Sequence, residues 1–250
     1  MSEATPGREN EDFVAAGHGW VAVLDGATAP AGVDSGCRHD PAWLVRHLGG
    51  RIAALLALTD GTPLPDLFAE AIKVTAEAHA DTCDLRNPDS PSATVSLLRR
   101  RDDAAEWFVL ADSPILLDAA SASGADADDG RVRVIRDDRV DHLPSYTLEG
   151  VRRSRNSPGG FWVASTRPEA AYEGLIGEVP VQSLRRAAVL SDGASRLVER
   201  FGTIGWDGLL HLLDDHGPGE LVRRTRQAEA SATDVRGKRY DDATAVLVRF

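Results

Sequence analysis

Six acidic residues stand where apolar runs of the chain begin or end: Glu11, Asp12, Asp25, Asp112, Asp192 and Asp241. In WVAVLDGAT (20–28) a largely apolar run enters Asp25-Gly26, and AAVLSDGAS (187–195) repeats the phrase with Asp192-Gly193. FVLADS is a looser copy that ends near Asp112, and ATAVLVRF starts just after Asp241-Asp242. Carboxylate oxygens suit hard divalent cations; Mg²⁺ takes a few of them and keeps several waters. Two such ions about 4 Å apart can clamp a transferring phosphoryl group. Strand ends are good carriers because rigid backbone fixes ligand geometry. A following glycine permits a tight turn and lets its carbonyl approach a cation. Any single one of these aspartates also fits a turn former. The recurrence at Asp25, Asp192 and Asp241 is what favours a common site.

Other chemistries are poorly served. Asp25 and Asp192 are each followed by Gly-Ala, not by the Asp-x-Asp of a phosphoaspartyl enzyme. There is no GxSxG elbow, and no P-loop or GxGxxG. Cys37 and Cys83 lack CxxC spacing, so the expectation is a pair of reduced thiols.

The elements that must position the acids read as follows. FVAA (13–16) and WVAVL (20–24) flank Gly17-His18-Gly19, a hairpin signal. Antiparallel register about His18 sets Glu11 or Asp12 opposite Asp25. Asp40-Pro41 is a cap and first-turn proline for a helix with Trp43, Leu44, His47, Leu48, Ile52, Leu55 and Leu56 at helical spacing. A second helix is expected from about Leu64 to Ala80. SATVSLLRR (92–100) and EWFVLAD (106–112) form another hairpin about Asp102-Asp103 and deliver Asp112 to its far end. Residues 121–130 read as an exposed acidic loop and 132–135 as a strand. Residues 143–180, rich in Gly, Pro, Ser and Arg, read as an irregular flap carrying Arg152, Arg153, Arg155 and Arg167. Helices are expected after AAVLSDG, from about Trp206 to His216 and from Gly219 to Ala230, before the closing strand. Local hairpins predict mainly antiparallel sheets with helices outside. No linker divides residues 1–250, so one domain is expected.

Composition agrees with a globular enzyme or regulator. Of 250 residues, 42% are hydrophobic and 27% charged, enough for a substantial core. The net charge of −11 argues against a nucleic-acid partner, which needs a positive surface. The start MSEATPGREN shows no signal-peptide pattern, and the apolar stretch near Ile52–Leu58 is too short to cross a bilayer. A cytoplasmic location with no membrane association is the expectation.

Taken in order, Arg8…Asn10-Glu11-Asp12, Val23-Leu24-Asp25-Gly26, Ser92-Ala93-Thr94, Ala111-Asp112-Ser113, Ser191-Asp192-Gly193 and Asp241-Asp242-Ala243-Thr244 resemble the motifs of the type 2C (PPM) serine/threonine phosphatases of bacterial type. The resemblance runs from Arg8 to the C-terminal strand. It implies an α+β fold, a four-layer α-β-β-α sandwich with two central antiparallel sheets, and a Mn²⁺ or Mg²⁺ pair between the sheet edges. It further implies that Asp25 bridges both ions, with Asp192 and Asp241 on the first and Glu11 and the Gly26 carbonyl on the second. Asp112 matches the position that helps hold a third, weaker ion, sharing Asp192. Asp12 would order water, and Arg8 would hold the substrate phosphate. The implied reaction is attack of a metal-bridged hydroxide on phosphoserine or phosphothreonine of a partner protein, by a monomeric enzyme. The chain departs from the pattern in three places. Arg8 sits one residue closer to the Glu-Asp pair than is usual, no histidine follows Asp25, and Asp242 replaces the usual Asn. Those departures keep two alternatives open: a regulatory module that binds a partner without turnover, or a hydrolase of small phosphoesters. His39 could approach the site from the start of the helix, although a lone histidine usually serves packing.

Overall fold

The computed structural model describes residues 1–27, 29, 32–58, 61–119, 132–233 and 237–250. The loop expected at 121–130 lies outside the described residues. Two antiparallel five-stranded sheets form the centre. One runs β2 (Asp12–Gly17), β3 (Trp20–Ala27), β4 (Ser92–Arg101), β5 (Ala104–Leu110), β8 (Leu175–Pro180). The other runs β1 (Ser2–Glu3), β10 (Ala243–Arg249), β9 (Leu184–Leu190), β6 (Ile115–Ala119), β7 (Arg133–Ile135). Helices α1 (Pro41–Leu58) and α2 (Leu64–Glu77) cover the first sheet; α4 (Asp192–Glu199), α5 (Trp206–His216) and α6 (Pro218–Ser231) cover the second.

The layers follow from period-two alternation along the strands. Val21 and Val23 of β3, Leu98 of β4 and Trp107 and Val109 of β5 face the second sheet, where they meet Ile115, Leu117, Ala187 and Val189. Their neighbours Ala22, Leu24, Val95, Leu97, Phe108 and Leu110 face α1 and α2 and pack on Leu44, Leu48, Ile52, Phe68 and Ile72. On the far side Leu116, Ala188, Leu190 and Ala245 pack on Leu197, Leu209, Leu213 and Leu221. This is the α-β-β-α sandwich expected from the sequence.

Local signals set the ends of these elements. Asp40 Oδ1 accepts from Trp43 N at 2.7 Å ahead of Pro41, a cap on α1. The β4–β5 turn places Asp102 at φ 52°. Helix α2 stops at Glu77, three residues short of the expected end.

Residues 143–180 are more regular than their composition suggests. They contain the short helix α3 (Leu148–Ser154), a 3₁₀ turn at Pro168–Glu173 and β8, which extends the first sheet along β5. Trp162 is buried against the first core. Arg152 pairs with Asp89 at 2.6 Å, and Arg155 donates to the carbonyls of Pro88 and Ser90 at 3.1 and 3.2 Å. Weak periodicity concealed β8 because it is an edge strand, half exposed, with Gly177 packed on the Trp107 ring.

The expectation of two reduced thiols is overturned. Cys37 and Cys83 form a disulfide across an isolated antiparallel bridge, Cα to Cα 4.3 Å. The pair is 46 residues apart in sequence, and spacing rules detect only local motifs. Among the described residues no helix is long and apolar enough to cross a membrane.

Candidate metal centre

The two sheets bring their acidic ends together. In the β2–β3 hairpin Asp12 is the direct partner of Asp25, and Asp25 is in turn the partner of Thr94 in β4. In the second sheet Leu190 pairs with Ala245, so Asp192 leaves β9 beside the Asp241-Asp242 entry to β10. Ser191 locks that junction: its N–H donates to the Thr244 carbonyl and its Oγ accepts from Thr244 N, each at 2.9 Å.

Asp112 arrives by a different device. Ala111 takes a left-handed conformation, φ 70°, which turns the chain sharply after β5; a non-glycine residue there is strained. Ser113 then anchors the turn to β4, its Oγ lying 2.6 Å from the Thr94 hydroxyl. This explains why Thr94 and Ser113 belong to the ordered motif set although neither is an acid.

The two Asp-Gly glycines are required by close backbone approach. A Cβ on Gly193 would sit 1.8 Å from the Asp242 carbonyl oxygen and 3.3 Å from Asp241 Cβ. A Cβ on Gly26 would sit 2.7 Å from the Glu11 carbonyl oxygen and 2.9 Å from Pro41 Cβ. Gly26 N also donates to that Glu11 carbonyl at 3.0 Å. Each glycine thus lets an acid-bearing strand end lie against the neighbouring acid-bearing segment. Asp242 completes the frame, accepting from Thr5 N at 2.5 Å and Glu11 N at 2.6 Å, so its carboxylate pins the segment that carries Arg8 and Glu11.

The electrostatics are those of carboxylates held too close. Burial, then Asp192 and Asp12, push the Asp25 carboxyl well above the usual range. Burial lifts Asp12 to about 7, opposed by the nearby Thr244 and Ser191 hydroxyls and aided by Asp192. Neither Asp12 oxygen makes a hydrogen bond of good geometry, although the residue is only 8% exposed. Burial and Asp192 likewise lift Asp112 to about 7. Asp241 is raised by burial and by Asp192, against the pull of Lys238 and Arg196.

Those two cations are not among the residues that sequence reasoning singles out. Arg196, on the first turns of α4, reaches across to Asp241 Oδ2 and to buried Glu229, both at 2.6 Å. Lys238 Nζ lies 3.3 Å from Asp241 Oδ1. Position on a helix can be read from the sequence, but the reach of Arg196 to a residue 45 positions away cannot.

The expected site residues therefore divide. Asp12, Asp25, Asp112, Asp192 and Asp241 act on one another in one patch, Asp12 buried and the other four half-buried, and Glu11 and Gly26 are held beside it by hydrogen bonds of their backbone. Arg8 lies on an exposed turn, its N–H donating to Thr5 O; among the described residues its guanidinium makes no hydrogen bond or ion pair. His39 stacks on Trp43, centroids 4.0 Å apart, and meets His79 edge-on, so it serves the start of α1.

A close-set group of aspartates with mutual repulsion, few counter-charges and two orphaned oxygens on buried Asp12 fits hard divalent cations by donor chemistry and by charge. Asp241 fits less directly, because both of its oxygens are already taken by the chain's own cations.

Known structures share this architecture. The catalytic domain of the serine/threonine protein phosphatase PstP, solved with two manganese ions, superposes with a TM-score of 0.58 at 18% identity, over 99% of this chain and 94% of that one. The PPM phosphatase MsPP of Mycobacterium smegmatis gives 0.60 at 16% identity, over 100% and 96%. Stp1 of Staphylococcus aureus gives 0.62 at 12%, over 100% and 93%. No protein-family model matches the chain. No curated protein is significantly similar in sequence. With nearly complete coverage in both directions, and the same two-sheet sandwich, the chain has the fold of the PPM serine/threonine phosphatases.

Proposed function

We propose that this chain is a Mn²⁺- or Mg²⁺-dependent phosphatase that hydrolyses phosphoserine or phosphothreonine in a partner protein. The observation that carries the reading is the convergence of Asp12, Asp25, Asp112 and Asp192: neither oxygen of buried Asp12 makes a hydrogen bond of good geometry, and proton affinity is raised at Asp12, Asp25 and Asp112, with Asp192 contributing at each. Asp25 and Asp192, with Asp241, are the residues that would hold a first ion. Asp25, Glu11 and the Gly26 carbonyl would hold a second, and Asp112 with Asp192 a weaker third. Such a pair, when bound, supplies Lewis acidity toward the phosphoryl oxygens and makes water more acidic.

The chain's own residues do the rest. Asp12 orients water by accepting its hydrogens. Arg8, whose guanidinium is uncommitted and exposed, is the candidate for gripping the substrate phosphate at the rim. The Ser191–Thr244 and Thr94–Ser113 contacts hold the aspartates at fixed separation, which limits the reorganisation needed during the reaction.

The test is release of phosphate from phosphoserine and phosphothreonine peptides, set against a panel of small phosphoesters, for wild type and Asp192→Asn. Mn²⁺-dependent turnover of peptides that is lost in the variant supports the reading. Turnover confined to small esters would select the metabolite alternative. One observation favours a second reading, a partner-binding module without turnover: Arg196 and Lys238 neutralise Asp241, as a metal would otherwise do. A folded wild type that binds no Mn²⁺ would select it.

A further inference from the structure

Away from the aspartates, the structure gathers a second set of metal-ligating side chains. The donor atoms of Cys37, His79 and Cys83 all lie within 4.8 Å of one another, and this is the only such trio of His, Cys, Asp or Glu among the described residues. His79 and Cys83 are one turn apart just beyond α2, and Cys37 is brought across from the segment that leads from Asp25-Gly26 to α1. A disulfide requires only the two sulfurs. It does not account for the third member.

His79 is the independent observation. The ring is 4% exposed, and its Nε2 is buried with no hydrogen-bond partner. Its Nδ1 faces Cys37 Sγ at 3.5 Å. Tetrahedral zinc with bonds of about 2.3 Å to sulfur and about 2.0 Å to nitrogen places S and N about 3.5 Å apart. Burial, with His39 and His47 nearby, disfavours the charged ring, so the imidazole is kept in the neutral form that binds metals. Two thiolates and one imidazole are soft and borderline donors, suited to Zn²⁺ and unsuited to the Mg²⁺ or Mn²⁺ that aspartates prefer.

We propose that, once the Cys37–Cys83 disulfide is reduced, Cys37, His79 and Cys83 bind one zinc-class divalent cation, leaving a fourth position for water. Reduction by a phosphine breaks the S–S bond, transfers two electrons to the disulfide, and yields two thiols and the phosphine oxide, its oxygen coming from water. Cation binding then displaces the two thiol protons to solvent. The disulfide and the metal complex are alternative cross-links between the same two segments.

The experiment is Co²⁺ titration of the full chain, reduced with a phosphine and freed of excess reagent under anaerobic conditions. Thiolate-to-cobalt charge transfer in the near ultraviolet reports only sulfur ligation, so cobalt on the aspartates is silent in that band. The expected result is one equivalent of cobalt per chain in that band, bleached by Zn²⁺ and absent from the unreduced protein. Cys83→Ser should lose most of the band, and His79→Ala should weaken affinity by at least about tenfold, in line with the loss of a metal-site partner. Alkylation of wild type by iodoacetamide gives a second readout that does not depend on the variants folding: Zn²⁺ should protect both thiols, and a chelator should expose them. A reduced wild type that shows no thiolate band and alkylates at the same rate with and without Zn²⁺ would overturn the proposal.

Discussion

The aspartate patch and the Cys37–His79–Cys83 cluster are built by opposite means. The aspartates come from five separate segments and are held by backbone register, by the missing side chains of Gly26 and Gly193 and by hydroxyl pairs. They oppose one another electrostatically, and the fold supplies the strain needed to keep them together. The Cys–His cluster joins one local turn to one neighbouring segment, and its donors converge more tightly. Hard oxygen donors spread over a rigid frame suit a pair of weakly held ions in exchange with water. Soft donors converging at one point suit a single tightly held ion or a covalent bond. The comparison teaches that the position of greatest convergence need not be the position of the proposed chemistry.

The comparison can be broken most severely at Asp25. Replacing it by Asn removes the carboxylate shared by both proposed ions, and Mn²⁺-dependent turnover should fall by at least about a thousandfold, the scale seen when transition-state charge loses its support. The same substitution should leave the thiolate–cobalt band of the reduced protein intact. A phosphate-release assay beside that titration checks both.

Next in size is the backbone frame. Gly193→Ala should destabilise by about 3 kcal/mol, since its Cβ would overlap the Asp242 carbonyl and neither backbone can move freely. Gly50→Ala, in open space on α1, should stabilise by up to about 1 kcal/mol. Urea denaturation of the two variants reads the contrast directly.

The pH dependence of the metal-free protein follows from the raised aspartates. The folded state keeps protons on Asp12 and Asp112 up to about 7, whereas the unfolded chain releases them near 3.8. Between those values the native state binds more protons, so this contribution to stability is full below about 4 and is lost as pH rises through 7. The metal-free melting temperature should therefore be higher at pH 5.5 than at pH 8. Saturating Mn²⁺ should raise it more at pH 8, where no protons need be displaced.

The smallest effect concerns the cations on Asp241. Lys238→Ala removes a half-exposed ammonium without disturbing buried Glu229, which Arg196→Ala would also leave with one fewer partner. Mn²⁺ should then bind more tightly by about threefold at low salt, with the gain fading at high salt. Calorimetry at two ionic strengths checks it.

Much of this could be read from the sequence because it is local. The Gly17-His18-Gly19 turn sets Glu11 or Asp12 opposite Asp25, and the register selects Asp12; Asp40-Pro41 announces α1, and the family resemblance of the ordered acids implies the sandwich. What escaped was non-local. Cys37 and Cys83 meet only after α1 and α2 have packed. Strand β8 has too little buried surface to show alternation, and the Arg196–Asp241 pair depends on how α4 lies against the entry to β10. The Asp-Gly spacing points to turns and carbonyl access at Gly26 and Gly193; their steric role, admitting Glu11 and Asp242 to close contact, is visible only in the tertiary structure.

The central claim is that the five aspartates form a divalent metal centre. Calorimetric titration of Mn²⁺ into the oxidised protein at pH 7.5, beside Asp192→Asn, tests it most directly, because the disulfide then removes the thiolate site from the measurement. The account predicts two ions per wild-type chain and loss of that binding in the variant. A folded wild type that takes up no Mn²⁺, or a variant that binds as the wild type does, would contradict it.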